Sequence, residues 1–206
     1  MKVYLYILDT LADWEIAYIT VECNSRRYFK KANGELTFLK VARTNKPIQT
    51  MGGFVIAPDV TLNEIDDDEA NILILPGADT WLEIENRTII EIAADRIKKG
   101  LNVAAICGAT GALAKAGVLN RKKHTSNALE FLQMFRPEYS GEGLYLDKPA
   151  ITDTNLITAS GLAPLEFTYE IIKILEVFNP ATLEAWYKLH AGRESRYFYE
   201  LQNSLI

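Results

Sequence analysis

Cysteine and histidine are scarce in this chain: Cys23, Cys107, His124 and His190 are all that 206 residues hold. Two cysteines exclude a disulfide framework. Their distance from each other and from the histidines gives no zinc spacing, so no metal is expected. Nowhere are there the ~20 consecutive apolar residues that a membrane span requires. The N-terminal apolar run, Val3 to Leu8, stops at Asp9. It is too short for a signal-peptide core and has no small-residue cleavage site behind it. A reducing cytoplasm is the expected location. Positive charge is also short, with Lys plus Arg at 22 against Asp plus Glu at 27, a net charge of -5. That balance argues against nucleic acid as a partner. The one basic run, Arg121-Lys122-Lys123-His124, reads as a solvated turn. Repeats, low-complexity stretches and linkers are missing too. What is there is ordinary for a soluble domain, 49% hydrophobic and 24% charged. One domain over 1–206 with a core of its own is expected.

Short apolar runs alternate with longer amphipathic ones. Val3 to Leu8 reads as a buried strand, followed by helical spacing from Asp13 to Ile19. Leu36 to Val41 is a second strand with Gly34 as the turn before it. Met51-Gly52-Gly53-Phe54 reads as a hairpin turn. Asp66-Asp67-Asp68-Glu69 reads as a solvated loop, since four like charges do not enter a core. Ile72 to Leu75 and Val103 to Ile106 are further strands. A helix from Ile89 to Lys99 stops at Gly100. Gly108 to Ala116 has small-residue helical character, Asn155 to Ala159 is a late strand, and Leu165 to Phe178 is a long helix. Pro180 opens a second helix that breaks near Gly192. Strands apolar on both faces and separated by helices predict a doubly wound α/β domain, its sheet mostly parallel with helices on both faces.

In such sheets ligands bind beyond the carboxyl ends of the strands. There Cys107 is the sharpest feature, standing between a strand and a helix built of Gly and Ala. Unpaired amides at a helix start stabilise a thiolate and predict a lowered pKa. The plain alternative is a buried, inert thiol. Cys23, within a helix and far from any strand end, takes that reading. A rival use of the same stretch is a loosened dinucleotide fingerprint, Gly108-Ala109-Thr110-Gly111 with Glu130 as the ribose acid. It lacks a third glycine and follows several strands, and Glu130 sits in a helical pattern rather than at a strand end.

Val3 to Leu8, Asp13-Trp14-Glu15, Leu75-Pro76-Gly77, Ala105-Ile106-Cys107-Gly108 and Thr158-Ala159-Ser160-Gly161 stand in the order of the PfpI/ThiJ superfamily. The chain resembles that group up to near Phe178. The group has the class I glutamine amidotransferase-like, flavodoxin-like fold and includes PfpI-type intracellular cysteine peptidases and the parkinsonism-associated deglycase. The resemblance implies that Cys107 is the nucleophile, that Glu15 is the carboxyl partner of its sulfur, and that Gly77 and Gly108 make an oxyanion hole. It implies no cofactor, and it allows a homodimer, onto which the aromatic segment from Pro180 to Ile206 could pack instead of onto the sheet. Two adjacent anions disfavour each other, so a Cys107–Glu15 pair keeps a proton.

Two departures stand out. PfpI-type peptidases place His directly after the nucleophile, where this chain has Gly108. Other members place His after a Thr-containing strand, where Thr125-Ser126 is followed by Asn127. His124 is the nearest catalytic candidate, but an odd shift along a strand turns it to the other face. His190 reads as surface or interface. The expectation is a cysteine-dependent hydrolase of PfpI type acting on a peptide or small molecule, with general proteolysis weakened for want of a His. The alternatives are a small-aldehyde lyase or deglycase and a redox or stress sensor using Cys107.

Overall fold

The computed structural model describes residues 1–30 and 35–205, so the turn expected at Gly34 lies outside the described residues. In chain order come β1 (Lys2–Tyr6), α1 (Asp13–Ser25), β2 (Thr37–Ala42), β3 (Ile48–Gln49), β4 (Val55–Ile56), β5 (Val60–Thr61) and β6 (Ile72–Leu75). Then follow α2 (Arg87–Lys98), β7 (Asn102–Ile106), α3 (Gly108–Lys115), α4 (Leu129–Gln133), β8 (Ala150–Asp153) and β9 (Leu156–Ala159). Three helices end the chain: α5 (Pro164–Leu175), α6 (Pro180–Gly192) and α7 (Ser195–Asn203). The sheet has seven strands in the order β5-β2-β1-β6-β7-β9-β8. All neighbours are parallel except β8, which runs antiparallel to β9.

The core strands are apolar on both faces because both faces are covered. Ile72, Leu73, Ile74 and Leu75 are all fully buried, as are Val103 to Ile106. On one side α1 packs on α5, and α5 on β7, β8 and β9, while α2 and α3 pack on β7 and on each other. α6 lies on α5 and α7 on α6. From β1 the chain crosses first to β2 on one side and later to β6, β7 and β9 on the other. The crevice between β1 and β6 is therefore the topological switch point, where ligands bind in such sheets.

Three local readings change. The 2-residue β5 and the polar β8 had no apolar signal strong enough to mark them. The acidic run is not simply solvated: Asp66 pairs with Lys2 at 2.5 Å, and Asp67 pairs with Lys99 at 2.7 Å and Arg96 at 3.4 Å. Nor is the basic run all surface, for Lys122 Nζ donates to Thr154 Oγ1 at 2.5 Å and His124 is fully buried. No helix among the described residues is long and apolar enough to cross a membrane.

Candidate active site around Cys107

Cys107 is the hinge between β7 and α3, with φ 56° and ψ -123°. A non-glycine residue at positive φ is strained, and a strand-to-helix elbow of this kind lifts the side chain clear of the sheet edge. Its amide donates to the Ala159 carbonyl at 3.0 Å, tying the elbow to β9. The sulfur is half-buried, with Glu15 of α1 and Asn127 beside it.

Glu15, in the first turn of α1, is completely buried. The Gly77 N–H after β6 donates to its Oε2 at 2.6 Å, while Oε1 has no hydrogen-bond partner among the described residues. Two glycines allow this crowding. A Cβ on Gly161 would lie 2.7 Å from Cys107 Sγ and 3.0 Å from Glu15 Oε1. A Cβ on Gly77 would lie 2.5 Å from Glu15 Oε2 and 2.9 Å from Cys107 Cβ. Glu15 and Cys107 thus share one pocket.

Asn127 completes the ring. Its Oδ1 accepts the Gly161 N–H at 2.8 Å, which orients the amide, and its Nδ2 donates to Cys107 Sγ at 3.3 Å. Trp14 Nε1 donates to the Gly161 carbonyl at 3.3 Å. Behind the elbow, the Thr110 and Ser126 hydroxyls bond each other at 2.6 Å, holding the chain just before Asn127 against α3.

The electrostatics correct the expectation of a lowered thiol pKa. Burial pushes the Cys107 thiol up to about 11, and the Glu15 charge adds to the rise. The Asn127 amide and the Gly108 N–H pull the other way but do not win. Burial also raises Glu15, against the pull of the neighbouring Cys107 thiol and the Gly77 N–H. With both members raised, the pair holds one proton between them over a wide pH range. Cys23 is 1% exposed, and burial pushes it up to about 12, which suits an inert thiol.

His124 is not at the sulfur. Its Nδ1 lies 2.7 Å from the Lys122 carbonyl oxygen and its Nε2 2.9 Å from the Tyr139 hydroxyl, so both ring nitrogens are taken. A carbonyl only accepts, so Nδ1 carries the proton and Nε2 accepts from Tyr139. Burial lowers its pKa. His190 packs its ring 5.0 Å from Tyr18 and 4.9 Å from Trp186 within the same chain, rather than standing free at the surface. Gly77 also changes role: its amide is spent on Glu15, so it is no free oxyanion donor. The Gly108 amide acts on the sulfur itself. Ala78 lies against Gly108, its carbonyl oxygen 2.9 Å and its nitrogen 3.5 Å from where a Gly108 Cβ would sit.

The dinucleotide reading of 108–111 fails on packing. A Cβ on Gly111 would meet Phe135 at 2.7 Å and Phe131 at 2.8 Å, so this glycine admits two aromatic rings rather than a phosphate. Glu130 lies in the first turn of α4, not at a strand end. A cleft of about 460 Å³ between α2, α3 and Trp81 is lined by Leu82, Ile84 and Ile90 and does not include Cys107.

A protease of Bacillus subtilis described as uncharacterized, YoaZ, is 46% identical over 204 residues, covering 99% of this chain and 97% of the relative. Deglycase PfpI of Pyrococcus furiosus is 28% identical over 127 residues, covering 60% of this chain and 74% of the relative. The crystal structure of a thiJ/pfpI family protein from Bacillus anthracis superposes with a TM-score of 0.95 at 46% identity, covering 98% of this chain and 96% of that one. The model of the DJ-1/PfpI family matches residues 1–174, and the chain belongs to that family.

Proposed function

We propose that the chain is a cysteine-dependent enzyme in which Cys107 adds to small activated carbonyl compounds, aldehydes first, and that it is a poor general peptidase. One observation carries this reading. The sulfur meets a carboxyl and a neutral amide, and both ring nitrogens of His124 are engaged elsewhere.

The addition balances with what the site holds. The Cys107 sulfur bonds to the carbonyl carbon, and the carbonyl π pair moves to oxygen. The proton held between Cys107 and Glu15 passes to that oxygen, giving a neutral hemithioacetal. An unpaired backbone N–H at the start of α3 serves as hydrogen-bond donor to the developing alkoxide. Peptide cleavage asks for more: a proton must reach the leaving nitrogen, and an Asn127 amide supplies none. General acid–base help is worth ~10²–10⁴-fold, so its loss leaves only weak proteolysis. The relatives' names, a protease and a deglycase, span both chemistries.

The test is a pair of assays on purified wild type and Cys107→Ala: consumption of a small aldehyde, and casein hydrolysis. Aldehyde loss that depends on Cys107, with casein left intact, is expected. Robust Cys107-dependent casein cleavage would overturn the reading. Neither activity, with one oxidation per chain at Cys107 under peroxide, would favour a sensor. That second reading draws on the position of Cys23, which is buried in α1 and absent from the ring around Cys107. Without a resolving thiol, oxidation proceeds through sulfenic to sulfinic acid rather than to a disulfide.

A further inference from the structure

We infer that Asn127 is a positioning residue for this thiol: its fixed amide holds the Cys107 sulfur and leaves Glu15, among the described residues, as the one ionisable group acting there. The inference rests on the reading of Cys107 as the reacting atom.

The geometry fixes the amide in one orientation. The Gly161 N–H can only donate, so the atom facing it at 2.8 Å is Oδ1, and Nδ2 must face the sulfur. Gly161 is itself held from the far side by the Trp14 indole N–H. Asn127 is therefore the last member of a chain that runs Trp14, Gly161, Asn127, Cys107. A flipped amide would set an N–H against an N–H and an oxygen against the sulfur. A hydrogen bond to a charged acceptor is worth more than one to a neutral acceptor, so this contact favours the thiolate over the thiol.

Among the described residues, the surrounding elements supply no second charge at the sulfur. From α1 come Glu15, beside the sulfur, and Asp13, whose carboxylate accepts the Gly52 N–H at 2.6 Å. From the start of α3 come Gly108, Ala109 and Thr110, all neutral. The 76–81 segment carries Asp79, exposed and tied through its amide to Thr10. His124 faces Lys122 and Tyr139. A neutral donor thus occupies the place where an imidazole would make an ion pair. Nδ2 also carries a second hydrogen, and Asn127 is exposed, so the same amide is available to a substrate oxygen beside the sulfur.

The experiment is the pH dependence of Cys107 alkylation by iodoacetamide, read by mass spectrometry, in wild type, Asn127→Leu, Asn127→Asp and Asn127→His. Wild type should show one rise. Removing the donor in Asn127→Leu should slow labelling about ten- to hundredfold at any pH below that rise, as the rise moves up. Asn127→Asp keeps the acceptor for Gly161 but turns an oxygen on the sulfur, and should also move it up. It is isosteric, so it decides the matter if the Leu variant does not fold. Asn127→His should add a second step on the acid side, with labelling that persists below pH 6. Unlabelled Cys23 reports an intact fold in each case. Leu and Asp profiles that superimpose on wild type would overturn the inference. Wild type that is not labelled at Cys107 at all would instead remove the functional reading on which it rests.

Discussion

The Trp186 indole N–H on α6 donates to Glu22 Oε1 on α1 at 3.1 Å, joining two residues 164 positions apart. Glu22 is 1% exposed, and its other partner is Arg27, at 2.5 and 3.2 Å. A carboxylate in such a place needs every donor it has. Trp186→Phe keeps most of the ring packing and deletes one donor. It should cost about 2 kcal/mol, read as a lower urea midpoint with unchanged m-value. A midpoint equal to wild type would show that the bond contributes nothing net.

Gly161→Ala should silence Cys107 without unfolding the chain. The new methyl would lie 2.7 Å from the sulfur and 3.0 Å from Glu15 Oε1, so one of them must leave its place. The expected outcome is a circular dichroism spectrum like wild type and at least tenfold slower alkylation. Alkylation at the wild-type rate would mean that the sulfur is not confined as described.

His124→Gln should weaken the fold and spare the thiol. The ring bonds the Tyr139 hydroxyl in the interior, and leaving a buried group unpaired costs about 1–3 kcal/mol. Alkylation of Cys107 should follow the wild-type pH curve. The sign of the acid response follows from burial. The folded pKa of His124 is lowered, so below the unfolded value of 6.5 the unfolded chain binds the extra proton. Stability should fall as pH drops through 6.5, less so in the variant. His190 shifts the same way and makes a residual slope in His124→Gln.

At the alkaline end the thiols dominate first. Cys23 is raised from 9.0 to about 12 and Cys107 from 9.0 to about 11. Above pH 9 the unfolded chain loses thiol protons that the folded chain keeps, so stability falls as pH rises. Each thiol contributes about 1.4 kcal/mol per pH unit within its window. Tyr6 and Tyr139, raised from 10.0 to about 12, join above pH 10. Urea midpoints between pH 9 and 10 should show a shallower slope in Cys23→Ala than in wild type. Equal slopes would place the Cys23 thiol in contact with solvent.

Much of this architecture is legible in the chain, for stated reasons. Apolar runs such as Ile72 to Leu75 can only be strands buried on both faces, and Gly100, at φ 83°, ends its helix as its residue type suggests. Cys107 is readable because a strand followed at once by Gly and Ala implies an elbow. Asn127 was visible only as a departure from a pattern. Its contact with the sulfur depends on Gly161, 34 residues further on, and no local spacing records that. Gly77 departs from its expected role for a similar reason: which acceptor an amide meets is decided by tertiary packing, here the burial of Glu15. The thiol's ionisation was misjudged because helix-start amides are a local feature, whereas desolvation is a property of the assembled pocket.

The ring around Cys107 draws on α1, the turn after β6, the elbow itself, the segment before α4 and the loop after β9. Translation delivers these pieces in that order, and Gly161 comes last. Until that loop emerges from the ribosome, Asn127 has no partner to orient it and the pocket has no far wall. Cys107 precedes Gly161 by more than fifty residues, so the nucleophile candidate is made well before the residue that closes its pocket. The confinement of Cys107 is thus a property of the whole sheet: a chain that ends before β9 has the elbow residues but not the wall that Gly161 supplies.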